Sequence, residues 1–191
     1  MSIVLYGSSP SPYVRRVRML LDRVDYRFEA VDVYDDDKRS AYSAITPIRK
    51  LPVLMDGEKT IFDSHVICEY LRRELGLPEW SFEQLNLVSA VDAVNDALII
   101  MFLATRSGIE TSDDKLMFKL QRERIPISLN WLEEQAKAGG FDEWHIATIA
   151  LISLMDWAEF RGLYDFSEYP ALLEARNLHQ ERAIVRETYP Q

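Results

Sequence analysis

On either side of Leu77-Pro78 the apolar residues of this chain repeat with different periods. Before that point short β-type runs alternate with helical ones. They are SIVLY, a helix from about Pro12 to Val24, YRFEAVDVY, a short polar helix around Lys38 to Ala44, PVLMD, TIFD and SHVICEYLRREL. After it, from Ser81 to about Arg182, apolar residues recur at helical spacing with almost no strand signal. A proline and its predecessor both resist continuing a helix, which makes this dipeptide the natural boundary. The expected architecture is an α/β domain of order βαβαββα over residues 1–76, followed by an all-α helix bundle over 81–191.

Within the first part, the βαβ opening implies parallel pairing through a crossover helix. PVLMDGEKTIFD reads as an antiparallel hairpin, with Asp56-Gly57 supplying the turn between two apolar runs. In the second part Pro126 should bend or break the helical run 112–137, and Asp142 should N-cap the next helix, with His145 three residues on. WHIATIALISLM is so uniformly apolar that its helix belongs at the centre of the bundle.

Composition narrows the function classes. A net charge of −9 argues against a nucleic-acid footprint, which would need a basic stripe. Arg15, Arg16 and Arg18 read as solvated surface, and the one local basic concentration left is RKLP at 49–52. The amino terminus has no charged n-region followed by an apolar h-region, and no uninterrupted apolar run approaches a membrane span, so a cytoplasmic protein with no membrane partner is expected. The single cysteine, Cys68, excludes an internal disulfide and a multi-cysteine metal site; it sits in an apolar helical pattern and reads as a buried structural thiol. No metal is expected.

The segment YGSSPSPYV, at 6–14, joins the first strand to the first helix. Thioredoxin-like proteins carry Cys-x-x-Cys at this place, and here Ser11 and Val14 occupy the two cysteine positions, which excludes redox through protein thiols. What survives is a hydroxyl at a helix N-terminus, beside unpaired N–H groups and the positive end of the helix dipole. That setting suits an anion, in particular a thiolate brought by a ligand. The serines Ser8, Ser9 and Ser11 equally suit plain capping, and this segment alone leaves both readings open.

The segment TPIRKLPVLMDGEKTIFDSHVICEYL, at 46–71, resembles the glutathione S-transferase pattern, in which Asn-Pro-x-x-Lys-Val-Pro-x-Leu precedes a hairpin and a Glu-Ser or Asp-Ser pair opens the next helix. The opening turn, the thioredoxin-like order of elements and the helical second half extend the resemblance over nearly the whole chain. It implies glutathione as cosubstrate and a cis bond before Pro52, with the backbone of Leu51 pairing with the cysteinyl part of the tripeptide. It also places Lys50 at the glycyl carboxylate and Asp63 and Ser64 at the γ-glutamyl group. Ser64 is further expected as an N-cap. Ser11 would activate the thiolate as in serine-type members, with Ser8 or Ser9 as substitutes and Tyr6 placed too early for a catalytic tyrosine. AVDAVNDALII at 90–100 is similar to a run of many bacterial members, in which one acidic residue reaches the γ-glutamyl ammonium across a dimer; Asp92 or Asp96 would hold that role. Tyr13, Met101 and Phe102 would line a cleft for a small apolar electrophile.

The resemblance thus implies a homodimeric enzyme that docks glutathione on its first domain and directs the thiolate at an electrophile. Isomerisation, dehalogenation or disulfide reduction would use the same ligand. A noncatalytic regulatory protein of the same fold, like some bacterial starvation-response relatives, is the alternative of another class; RKLP and Asp63-Ser64 favour ligand binding over it.

Overall fold

The computed structural model describes residues 2–32, 35, 42, 44–112 and 114–191. They fall into two compact units, Met1–Glu79 together with Arg182–Gln191, and Trp80–Glu181. The helix expected around Lys38 to Ala44 lies, apart from Tyr42 and Ala44, outside the described residues.

The first unit is a mixed four-stranded sheet carrying helices. Its elements are β1 (Ile3–Gly7), α1 (Pro12–Leu20), β2 (Tyr26–Ala30), β3 (Val53–Asp56), β4 (Lys59–Phe62) and α2 (Ser64–Glu74), joined at the end of the chain by the short α7 (Ala183–Glu187). The strand order is β2-β1-β3-β4. β1 pairs in parallel with β2, Ile3 opposite Tyr26 and Gly7 opposite Ala30. It pairs antiparallel with β3, and β3 antiparallel with β4. Gly57 makes the β3–β4 turn at φ 58°, a left-handed value that glycine adopts at no steric cost. Alternation along β1 buries Ile3, Leu5 and Gly7, and the helices bury Val14, Val17, Ile67, Cys68 and Leu71. This is the thioredoxin-like sheet.

Strand β2 stops at Ala30, short of the run to Tyr34 that its composition suggests. Two of the three α1 arginines also depart from expectation. Arg15 and Arg16 are each only 1% exposed, so the reading of that helix as solvated surface is corrected for both. Arg15 is buried because the chain terminus returns to it. Its Nη2 donates to the Val185 carbonyl at 2.9 Å and its Nε to Thr188 Oγ1 at 3.3 Å. The Thr188 hydroxyl donates onward to the Ile184 carbonyl at 2.6 Å, and the Tyr189 ring lies 5.6 Å from the guanidinium. Arg16 sits over the Tyr13 ring at 5.5 Å, and Arg18, half-buried, over Phe28 at 4.8 Å.

The second unit is all helix: α3 (Phe82–Arg106), α4 (Leu116–Lys137), α5 (Ile146–Phe160) and α6 (Pro170–Asn177). A capping box starts α3, with Ser81 Oγ accepting from Gln84 N–H and Gln84 Oε1 from Ser81 N–H. By length and mean hydropathy α3 could cross a membrane, although Asp92, Asn95 and Asp96 interrupt its apolar run. Here its apolar face, with Leu87, Val88, Val91, Val94 and Leu98, is buried in the bundle. Helix α4 runs unbroken through Pro126; the proline removes one N–H from the ladder without ending the helix. Every residue of α5 from Ile146 to Ala158 is buried, as its continuous apolar sequence requires.

Helix α5 begins three residues later than expected. Its N-cap is His145, whose backbone is extended and whose Nδ1 accepts from Thr148 N–H at 3.4 Å; Asp142 lies in the preceding turn. Burial holds the His145 imidazole below the usual histidine range, which keeps Nδ1 available as an acceptor. The Trp144 ring packs against His179 at 5.5 Å. Helix α6 has no cap from its own N-cap residue, Tyr169. Instead the buried Glu133 of α4 accepts from Ala171 N–H and Leu172 N–H, both at 3.0 Å.

Candidate functional site

The strand register defines one end of the sheet. Tyr6 pairs with Val53 and Val53 with Phe62, so the chain leaving β1, entering β3 and leaving β4 meets at the same edge. Three segments singled out in the sequence occupy these positions: Ser8 to Ser11 after β1, Lys50 to Pro52 before β3, and Asp63-Ser64 after β4. Helices α1 and α2 both begin there, so two sets of unpaired N–H groups and two positive dipole ends share this edge.

Ser11 is the N-cap of α1, with Pro12 at the first helical position. Its Oγ accepts from Val14 N–H at 3.4 Å, and its own N–H donates to the Ser8 carbonyl at 2.9 Å. No acidic residue occupies the first turn. Capping and ligand activation do not compete here. A hydroxyl has one donor and two acceptor lone pairs, so an Oγ that accepts the Val14 bond still has its proton to donate. Ser8, Ser9 and Ser11 are all half-buried.

The Leu51–Pro52 bond is cis, and Pro52 is buried while Lys50 is exposed. Lys50 is held through its backbone: its carbonyl accepts a short hydrogen bond from the Tyr42 hydroxyl. Tyr42 is only 3% exposed, and burial pushes its hydroxyl well above the usual tyrosine range, so it stays a donor at neutral pH. Sequence reasoning passed over this residue, although an aromatic inside the polar run DDDKRSAYS was the signal available. Thr46 adds a turn bond, its Oγ1 accepting from Ile48 N–H at 3.4 Å.

Asp63, rather than Ser64, caps α2. Its Oδ1 accepts from His65 N–H at 2.9 Å, while Ser64 is the first helical residue and is buried. Asp63 achieves this at φ 70° and ψ 134°, a conformation that L-residues rarely adopt and that costs on the order of 1–3 kcal/mol.

The remaining residues lie elsewhere. Tyr13 is half-buried on α1 under the Arg16 guanidinium. On the helical unit, Asp92 and Asp96 are one turn apart on α3, the first buried and the second exposed. Met101 and Phe102 are half-buried, and Phe102 meets Trp157 edge-on at 6.2 Å. Arg161, which the sequence did not single out, lies 5.4 Å from the Phe102 ring. Among the described residues no group of three or more His, Cys, Asp or Glu side chains is placed to hold a metal.

Comparison with known proteins agrees with this layout. Residues 5–79 match the family model described as glutathione S-transferase, N-terminal domain. The uncharacterized GST-like protein YibF of Escherichia coli is 30% identical over 168 residues, 82% of each chain. A glutathione transferase family member from Pseudomonas fluorescens Pf-5, solved with bound glutathione, superposes over the whole of both chains with a TM-score of 0.80 and 26% identity. A glutathione S-transferase from Methylobacillus flagellatus reaches a TM-score of 0.86 at 23% identity, again over both full chains. A domain model over the site-bearing unit, a relative aligned through most of both chains and a shared complete fold have one reading: the chain belongs to the glutathione S-transferase family.

Proposed function

We propose that this protein binds reduced glutathione on its thioredoxin-like unit and transfers the tripeptide's thiolate to a small electrophile. The observation that carries the reading is the register that gathers Ser11, Leu51-Pro52 and Asp63-Ser64 at one end of the sheet. Family neighbours solved with glutathione bound support it.

In this reading the cysteinyl backbone pairs with Leu51 and the γ-glutamyl carboxylate takes the Ser64 hydroxyl and the start of α2. Asp63 faces the ammonium and Lys50 the glycyl carboxylate. The thiol then lies at the start of α1, where the Ser11 hydroxyl, keeping its proton, donates a hydrogen bond to the thiolate sulfur while its Oγ still accepts from Val14 N–H. Lowering a thiol pKa by two units from about 8.5 needs roughly 2.7 kcal/mol. A charge-assisted hydrogen bond gives roughly 1.5–3 kcal/mol and a helix terminus roughly 0.3–1, and the combined range of roughly 1.8–4 kcal/mol spans the requirement without a general base. The thiolate attacks an electrophile presented to it, and proximity and charge stabilisation supply the acceleration. Assembly as a homodimer, with Asp92 or Asp96 reaching a partner's ligand, belongs to the same reading.

Calorimetric titration with reduced glutathione tests it. Saturable binding in the micromolar to millimolar range is expected, and Ser11→Ala should retain binding while the bound thiol's pKa, followed by thiolate absorbance, rises by roughly 1–2 units. No heat at saturating glutathione together with an unchanged melting temperature would overturn the proposal.

A further inference from the structure

Arg161 closes α5 as its C-cap residue. Its guanidinium carbon lies 5.4 Å from the centroid of the Phe102 ring and 5.0 Å from that of Phe160, and Phe102 is itself fixed edge-on against Trp157. The position of the cation is thus set by aromatic packing. Its charge is not neutralised in the same way. The carboxylates on the last turns of α5, Asp156 and Glu159, are both engaged by Arg176, each at 2.5 Å. No carboxylate pairs with Arg161 among the described residues, and its fully buried Nε receives no hydrogen-bond partner there.

A buried N–H left without an acceptor is costly, and such groups in folded proteins call for an explanation. A guanidinium offers five donors in a planar fork that matches a carboxylate, and stacking on rings orients that fork in advance. The surroundings add an apolar component: Phe160 is 39% exposed, and Met101 and Phe102 are half-buried. A cation held ready and an apolar flank describe a ligand with an anionic end and a flat apolar body.

We propose that Arg161, with Phe102 and Phe160, forms a receptor for a small aromatic carboxylate on the helical unit. Binding at this site stands independently of the glutathione reading.

The test compares para-nitrobenzoate with para-nitrobenzamide, which has the same body and no charge, as ligands for the full chain by calorimetry. The benzoate should bind at least about tenfold more tightly, as loss of one charge-assisted pair implies. Arg161→Gln should abolish that preference without changing benzamide affinity, and Arg161→Lys, which keeps the charge but not the fork, should restore only part of it. A preference below tenfold in the native chain, which needs no variant to fold, or one that survives in Arg161→Gln, overturns the site. A benzoate preference that Arg161→Gln abolishes upholds the site whether or not the chain binds glutathione.

Discussion

Gly7, the last residue of β1, has an ordinary backbone conformation, so it is required for space alone. A Cβ there would lie 2.4 Å from Val14 Cγ1, 2.9 Å from Val14 Cγ2 and 3.1 Å from Phe28 Cε2. Carbon atoms prefer separations of about 3.5–4.0 Å, so Gly7→Ala demands a displacement of about 1 Å. Rotating Val14 gives no escape, because a β-branched residue in a helix has one favoured rotamer and both methyls are in the way. Helix α1 must therefore move, and Ser11 Oγ, already 3.4 Å from Val14 N, moves with it. Overpacking of this kind destabilises by about 1–3 kcal/mol, and a displacement of 1 Å at a reacting group costs roughly 100-fold in rate. The measurements are urea denaturation for stability and, for function, the pKa of bound glutathione together with kcat/KM. Val14→Ala removes both clashing methyls and should itself cost about 1.6 kcal/mol for the buried carbon atoms lost. In the double variant the new methyl occupies the vacated space, so the two changes should be less than additive by at least about 1 kcal/mol, with the thiol pKa returning toward its native value. Additive losses in the double variant, or a Gly7→Ala chain within about 0.5 kcal/mol of native with unaltered thiol pKa, would refute the steric argument.

Two further outcomes follow from the helical unit. Glu133→Ala should destabilise it by about 2–4 kcal/mol, since two charge-assisted bonds to the start of α6 are lost, and Glu133→Gln by nearly as much, because its amide nitrogen would oppose one of the two backbone donors; thermal melts of both variants check this. The lowered His145 pKa means that the unfolded chain takes up this proton before the folded one, so its contribution is full above about pH 6.5 and falls as the pH drops below that value; His145→Asn, a cap that does not titrate, should flatten the stability profile there, whereas Glu69 of the first unit, whose carboxyl Arg72 holds low, keeps its full contribution down to about pH 4.5 and loses it only below.

Much of this architecture was legible because it is written in local patterns. The period change at Leu77-Pro78, the Asp56-Gly57 turn and Ser11 before Pro12 each state a backbone preference within a few residues. Helix starts were less secure, for a reason the two errors share. At Asp63-Ser64 and at Asp142 to His145 several residues are acceptable caps, and propensity ranks them without knowing the backbone. What decides is φ at Asp63, set where β4 turns into α2, and burial at His145, which keeps an imidazole neutral so that it can accept. Neither is a property of the side chain alone.

The buried arginines show a deeper limit. Pattern reading assigns charge to the outside because an isolated guanidinium cannot be buried cheaply, and α1 taken alone offers Arg15 no acceptor. The acceptors are 170 and 173 residues further on, at Val185 and Thr188, in a terminal segment that groups with the first unit rather than with the bundle preceding it. Those ten residues contain no strong periodicity that would announce a docking face; their value lies in a carbonyl, a hydroxyl and a ring that meet one side chain. Arg15 donates its own N–H to the Ser11 carbonyl at 2.9 Å, so the residue that anchors the end of the chain is also in the first hydrogen-bonded turn behind the hydroxyl proposed to donate to the thiolate. The sequence displays the donor openly at a helix cap, while its support is divided between the two ends of the chain and becomes a single structure only on folding.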